Sequence, residues 1–144
     1  ELIQQLARNG VPIAIASSAS ETELVPTLQT IGIGFLWPKA VKSSEIDDTK
    51  PSPDILEAAA SKLNLPPTEL VLIGDSPYDI AAASRIGMHS IGFLCGGWST
   101  QALEGADEYY EGPWDLLEKW ETSLLSRFSI PSAEPLFPNA NLLF

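Results

Sequence analysis

Residues 70–87, LVLIGDSPYDIAAASRIG, constrain the fold of this chain more than any other stretch. The continuous apolar run that opens it, Leu70 to Ile73, lacks the alternation of a half-exposed strand and marks one covered on both faces of a parallel sheet. It ends in Gly74-Asp75. Ser76-Pro77 then opens a helix at once, with proline at the first helical position, and Gly87 stands where a C-terminal cap belongs. A second buried run follows from Ser90 to Leu94, closed by the Gly96-Gly97 turn.

The rest of the chain repeats this alternation. Residues 1–10 read as a helix with Leu2, Ile3 and Leu6 on one face, and Val11 to Ala16 as another strand buried on both sides. Pro12 is tolerable there because it lies at the strand's start. Ser20 and Glu23 form a capping box for a helix reaching about Thr30, with Leu24, Leu28 and Ile31 inward. Pro26 should kink that helix or delay its start. A weaker strand is expected from Phe35 to Val41. A helix follows from Ser52-Pro53 to Leu63-Asn64, then a break at Pro66-Pro67. After Gly97 come a short helix near Thr100 to Leu103, a brief strand at Glu108 to Tyr110 and an amphipathic helix from Trp114 to Leu125. Strands alternating with helices through short loops argue an α/β fold, a mostly parallel sheet flanked by helices. Residues 1–126 make one core, and 127–144, punctuated by Pro131, Pro135 and Pro138, make a tail or linker.

Composition narrows the function. The 144 residues, 44% hydrophobic, suit a single core. With 19 acids against 8 Lys plus Arg, the net charge of −11 disfavours nucleic acid and anionic membranes as partners. A divalent cation can still bridge such a protein to a phosphorylated substrate. No run approaches a membrane span and no leader opens the chain, so a soluble, cytoplasmic protein is expected. Cys95, the single cysteine, cannot form an internal disulfide, fits a reducing compartment, and reads as a small apolar filler. The chain opens on Glu1 and its one methionine is Met88, so it is expected to be cut from something longer.

Three places carry chemistry. Asp75 stands at a strand's carboxyl end and Asp79 four residues on, where ligands bind in parallel sheets and where two carboxylates can share Mg²⁺. Asp79 also completes a capping box with Ser76, so a purely structural role stays open for it. Lys50, held extended by Pro51, could grip a phosphoryl oxygen or simply be a solvated loop lysine. Ser17 ends the strand at residues 11–16, where its hydroxyl and the N–H of Ser18 could face a phosphoryl group. His89, beside a buried strand, reads as structural.

Order and spacing then matter. A strand-end serine, about thirty residues, Lys50-Pro51-Ser52-Pro53-Asp54, about twenty residues, and Gly74-Asp75-Ser76-Pro77-Tyr78-Asp79 closely resemble the second to fourth motifs of haloacid-dehalogenase-like hydrolases. The resemblance runs over residues 1–125. It implies that Ser17 and Lys50 bind phosphate and that Asp75 binds Mg²⁺, with Asp79 ligating the metal or orienting its shell. The family's first motif, Asp-x-Asp-x-Thr/Val, supplies the nucleophile, and it is absent here. Asp47-Asp48-Thr49 has no apolar strand directly before it and is rejected.

In that family the nucleophile strand lies at the centre of the sheet, between the strands that end at the serine and the acidic motifs. The resemblance therefore implies a partial Rossmann-like core in which residues 11–16 and 70–73 have lost a common neighbour. An upstream segment of the same protein is the expected partner. Between Ser17 and Lys50 there is room for no sizeable cap, which resembles the branch of phosphoglycolate phosphatase and β-phosphoglucomutase. The implied parent is a Mg²⁺-dependent phosphohydrolase acting through an aspartyl-phosphate on a small phosphorylated metabolite, inactive as this fragment. A non-catalytic scaffold and a sugar-phosphate mutase are the alternatives. The acid pair argues against dehalogenation, which needs no Mg²⁺.

Overall fold

A computed structural model describes residues 1–41 and 54–128. Lys50, the Asp47-Asp48-Thr49 stretch and the Ser52-Pro53 helix start lie outside the described residues, as does the tail from residue 129 on. The helices are α1 (Leu2–Arg8), α2 (Glu21–Thr30), α3 (Asp54–Leu63), α4 (Pro77–Arg85) and α5 (Pro113–Glu118); the strands are β1 (Val71–Gly74), β2 (His89–Phe93) and β3 (Glu108–Tyr110).

The strands form one parallel sheet in the order β1-β2-β3. Val71 to Gly74 pair with His89 to Gly92, and Ile91 to Phe93 with Glu108 to Tyr110. Successive strand residues point to opposite faces, so β1 feeds two cores. Val71 and Ile73 pack with Leu2, Leu6, Ile91, Phe93 and Leu116, while Leu72 packs with Ile55, Leu56, Ala82 and Met88. A third cluster joins Leu24 and Leu28 of α2 to Ile33 and Leu36. Ile55, Ile91, Leu103 and Leu116 are wholly enclosed, each contributing about 1.5–3 kcal/mol by its removal from water. Among the described residues no helix is long and apolar enough to cross a membrane.

Helix ends follow their local signals. Ile33 donates to the Leu28 carbonyl at 2.8 Å and Gly32 to that of Gln29 at 3.1 Å, a Schellman cap for α2 that needs the left-handed backbone Gly32 adopts at φ 76°. Helix α4 closes in the same way at Gly87, φ 68°, with Met88 donating to Ala83 at 3.0 Å. Pro26 sits inside α2 without dividing it. Ile31, expected inward, is 59% exposed, and Ile33, turned under by Gly32, is buried in its stead.

Four expected elements differ. Among the described residues, 11–16 make a single parallel bridge in place of a ladder, Ile15 to Ala40, with Ile15 donating to Lys39 at 3.2 Å and Val41 to Ile15 at 2.9 Å. A ladder needs a partner on the strand's edge, and apolar sequence does not supply one. Gly34–Lys39 is a 3-10 turn, not a strand; Pro38 inside it has no N–H to give to a ladder. Residues 100–105 form turns where a short helix was expected, too brief a stretch to propagate one. The helix expected from Trp114 to Leu125 stops at Glu118 and continues as the 3-10 turns Trp120–Thr122 and Leu124–Phe128. There the Ser123 hydroxyl donates to the Trp120 carbonyl at 2.7 Å, and the Leu124 N–H donates to the Glu108 carboxylate at 3.0 Å; both compete with helical pairing.

Candidate functional site

The carboxyl end of β1 delivers Asp75 into solvent and starts α4 one residue later. Ser76 caps that helix in both directions. Its hydroxyl and N–H donate to Asp79 Oδ2 at 2.7 and 3.2 Å, and its Oγ accepts from the Asp79 N–H at 3.4 Å. Asp79, only 4% exposed, is thus a nearly buried carboxylate tied back to the strand end. Burying an anion is costly unless hydrogen bonds compensate it, and the cap supplies them. Gly74 makes the approach possible: a Cβ there would lie 2.6 Å from Asp79 Cβ and 2.8 Å from its Cγ. The two acids differ accordingly, Asp75 open and Asp79 sheltered.

A second wall comes from the loop after β2. Residues Leu94–Gly96 make a 3-10 turn, and Gly97 ends it in the left-handed region at φ 86°. Gly96 lies directly against Asp75, so that a Cβ on it would stand 2.7 Å from Asp75 Cβ and 2.8 Å from Asp75 Oδ2. Exposed Tyr78, on the first turn of α4, and exposed Trp98, just past Gly97, belong to the same end of the sheet. In the sequence alone Gly96-Gly97 reads as a turn. A glycine doublet reads alike whether it serves a backbone angle or a close contact.

Ser17 follows the extended segment 11–16. It is half-buried, and its Oγ accepts from the Ala19 N–H at 3.2 Å, while Ser18 is exposed. Ser20 does cap α2: its N–H and hydroxyl donate to Glu23 Oε2 at 3.0 and 2.6 Å, and these bonds, the hydroxyl's first, hold the Glu23 carboxyl below its ordinary range. Shared packing relates Ser17 to the acids. Val11 and Ile13 enter the same cluster as Val71 and Ile73, and Ala14 and Ala16 the same cluster as Leu70 and Leu72. The two segments therefore divide their side chains between the same two layers.

His89, at the opposite end of β2, pairs with Asp107 at 3.4 Å. A depression of about 430 Å³ lined by Glu57, Ser61, Asn64 and Pro67 also lies away from the acids, where the chain approaches β1. Two carboxylates with hard oxygen donors suit Mg²⁺ or a similar cation. Among the described residues no group of three His, Cys, Asp or Glu side chains could hold a metal, but Mg²⁺ commonly takes one or two carboxylates, keeps waters and accepts substrate phosphate oxygens. The pair fits such an ion as part of its shell.

Comparison with known proteins bears on the family and the fold. A family model described as haloacid dehalogenase-like hydrolase matches residues 1–93. A phosphoglycolate phosphatase from Pectobacterium atrosepticum is 34% identical over 104 residues, covering 72% of this chain and 44% of that protein. A hydrolase from Pseudomonas syringae superposes with a TM-score of 0.78 at 31% identity, over 84% of this chain and 56% of its own. A HAD family hydrolase from Deinococcus radiodurans R1, solved with bound phosphate and sodium, has a TM-score of 0.77 at 25% identity over 91% and 59%. The chain spans about half the length of the curated relatives it matches. Its acid pair at the strand end, its parallel sheet and these matches agree: the chain belongs to the haloacid dehalogenase-like hydrolase family.

Proposed function

We propose that this chain is the C-terminal part of a cytoplasmic, Mg²⁺-dependent phosphomonoester hydrolase that acts on a small phosphorylated metabolite through an aspartyl-phosphate. The observation that carries the reading is the pair built by β1 and the first turn of α4, open Asp75 beside sheltered, hydrogen-bonded Asp79. The similarity to a phosphoglycolate phosphatase and to a hydrolase solved with bound phosphate supports it.

In this reading Asp75 is the metal ligand, and Asp79, fixed by Ser76, orients the shell around it. The cation supplies charge neutralisation for the phosphoryl group. The Ser17 hydroxyl and the N–H of Ser18 donate to phosphoryl oxygens, and Lys50 balances their charge. A carboxylate from an upstream segment attacks phosphorus and the P–O ester bond breaks, the leaving oxygen taking a proton from a second upstream acid to depart as an alcohol; water then attacks the acyl phosphate, releasing inorganic phosphate and restoring the carboxylate. One feature of the sheet supports an upstream contribution. Among the described residues no strand pairs with the second edge of β1, and Val71 to Gly74 are only half-buried although both their faces are packed. An extended segment lying between β1 and residues 11–16 would pair with that edge and place its own strand end beside Asp75.

The test is Asp75→Ala in the full-length protein, assayed on a panel of small phosphomonoesters with and without Mg²⁺. A loss of at least about a hundredfold is expected for a direct metal ligand; retention of the Mg²⁺-dependent rate would sink the proposal. A wild-type product that binds the cation but turns over no phosphomonoester would favour the non-catalytic reading.

A further inference from the structure

We infer that Gly96 is a positioning residue for Asp75, and that the loop after β2, not the β1–α4 turn alone, fixes where the exposed acid presents its oxygens. The inference rests on the reading of Asp75 as a cation ligand. Asp79 is tied down by Ser76, whereas Asp75 lies open to solvent and is met by a neighbour distant in the chain. Gly96 is that neighbour. A Cβ at residue 96 would meet the Asp75 Cβ at 2.7 Å, its backbone carbonyl oxygen at 2.7 Å and its Oδ2 at 2.8 Å. Two of those three atoms cannot rotate aside, so even one methyl group must displace the strand end or the carboxylate.

The adjacent glycine has a different job. Gly97 holds φ +86°, and a Cβ there would meet nothing within 4 Å. Its requirement is backbone angle alone. The doublet therefore divides into a residue that shapes the loop and one that touches the acid. Gly74 plays the matching part for Asp79, with its Cβ position 2.6 Å from Asp79 Cβ. Each carboxylate is thus backed by one glycine, Asp79 by Gly74 at the end of β1 and Asp75 by Gly96 in the 3-10 turn after β2.

The experiment compares wild type, Asp75→Ala, Gly96→Ala and Gly97→Asn of the full-length protein. Mn²⁺ binding is read by electron paramagnetic resonance and Mg²⁺ binding by calorimetry, with circular dichroism on every sample. Gly96→Ala should weaken cation binding about 10–100-fold, the range for disturbing a ligand's support, while Gly97→Asn, which keeps the left-handed angle and so the loop's shape, stays within about twofold of wild type and Asp75→Ala loses binding. If Asp75→Ala binds like wild type, the metal reading fails and this inference falls with it. If Asp75→Ala loses binding but Gly96→Ala does not, the metal reading stands and the inference is overturned. Equal weakening in both glycine variants overturns it too, because loop shape would then be the cause. Should Gly96→Ala unfold in plain buffer, binding is measured with sucrose as a stabilising osmolyte; a chain still unfolded there would assign Gly96 to folding and overturn the positioning role.

Discussion

Tyr110, the last residue of β3, is 7% exposed, and its hydroxyl donates to Glu108 Oε2 at 2.8 Å. Burial, then the hydrogen bond and charge of Glu108, then the charge of Asp115, push its phenol up to about 12. An unfolded tyrosine titrates near pH ~10. Above that pH the unfolded chain gives up a proton that the folded chain keeps, so stability is complete below pH ~10 and falls as pH rises toward ~12. Tyr110→Phe should flatten this part of the decline in denaturant midpoint between pH ~9 and ~12, even if it lowers the midpoint at neutral pH. Identical alkaline slopes in both proteins would refute the assignment. At the other extreme, Gly74 tolerates no addition at all: Gly74→Ala would press on Asp79 Cβ and Cγ and should cost about 1–3 kcal/mol, as overpacking does, measurable by urea denaturation.

Helix α4 concentrates structure and chemistry in one turn. The Ser76 hydroxyl accepts the Asp79 N–H, one of the free donors of the helix's first turn, and also donates to the Asp79 carboxylate. Ser76→Ala should therefore lower stability by about 1 kcal/mol, the ordinary worth of such a cap, and weaken cation binding as well; a stability loss with unchanged cation affinity would separate the cap from the site. Elements of this kind were legible in the sequence because their causes are local. The capping boxes at Ser20 and Ser76, the glycine stop at Gly87, and the runs Leu70 to Ile73 and Ser90 to Leu94 all lie within a few residues of what they decide. Residues 11–16 were legible as an apolar strand, and the family resemblance implied the neighbour they lack; the single bridge from Ile15 to Ala40 was not legible, since a pairing is decided by a distant segment. The shortening of the helix expected from Trp114 was hidden for the same reason, because the Glu108 carboxylate that takes the Leu124 N–H arrives from another element. The two acids of the site could be read from a strand end, while the contact that restrains Asp75 comes from residue 96 and had no signature beyond a glycine.

At the scale of the molecule, the edge of β1 that faces no described strand is the feature with most at stake. An exposed, apolar strand edge invites pairing with any extended chain. Amide exchange at Val71 and Ile73 should be slower in the longer protein, with a segment paired there, than in residues 1–144 by themselves. Equal exchange in both would argue that nothing docks at that edge. The shorter chain should also bind the dye ANS and self-associate more readily, which light scattering would show.

The sheet register has a further consequence, for the order in which the molecule forms. Partners in the β1–β2 ladder, such as Val71 and His89, and in the β2–β3 ladder, such as Ile91 and Glu108, are close along the chain, whereas residues 11–16 and 70–73 share their two cores across a long intervening stretch of chain that includes α2 and α3. Closing a short loop costs less chain entropy than closing a long one, so β1, α4 and β2 with β3 are expected to assemble first as the folding nucleus. Truncating Ile91 should then slow refolding, and truncating Leu24 should chiefly speed unfolding. In that sequence of events the half that carries Asp75 and Asp79 is formed before the half that carries Ser17, and the acid pair becomes the template against which the phosphate-facing loop is later set.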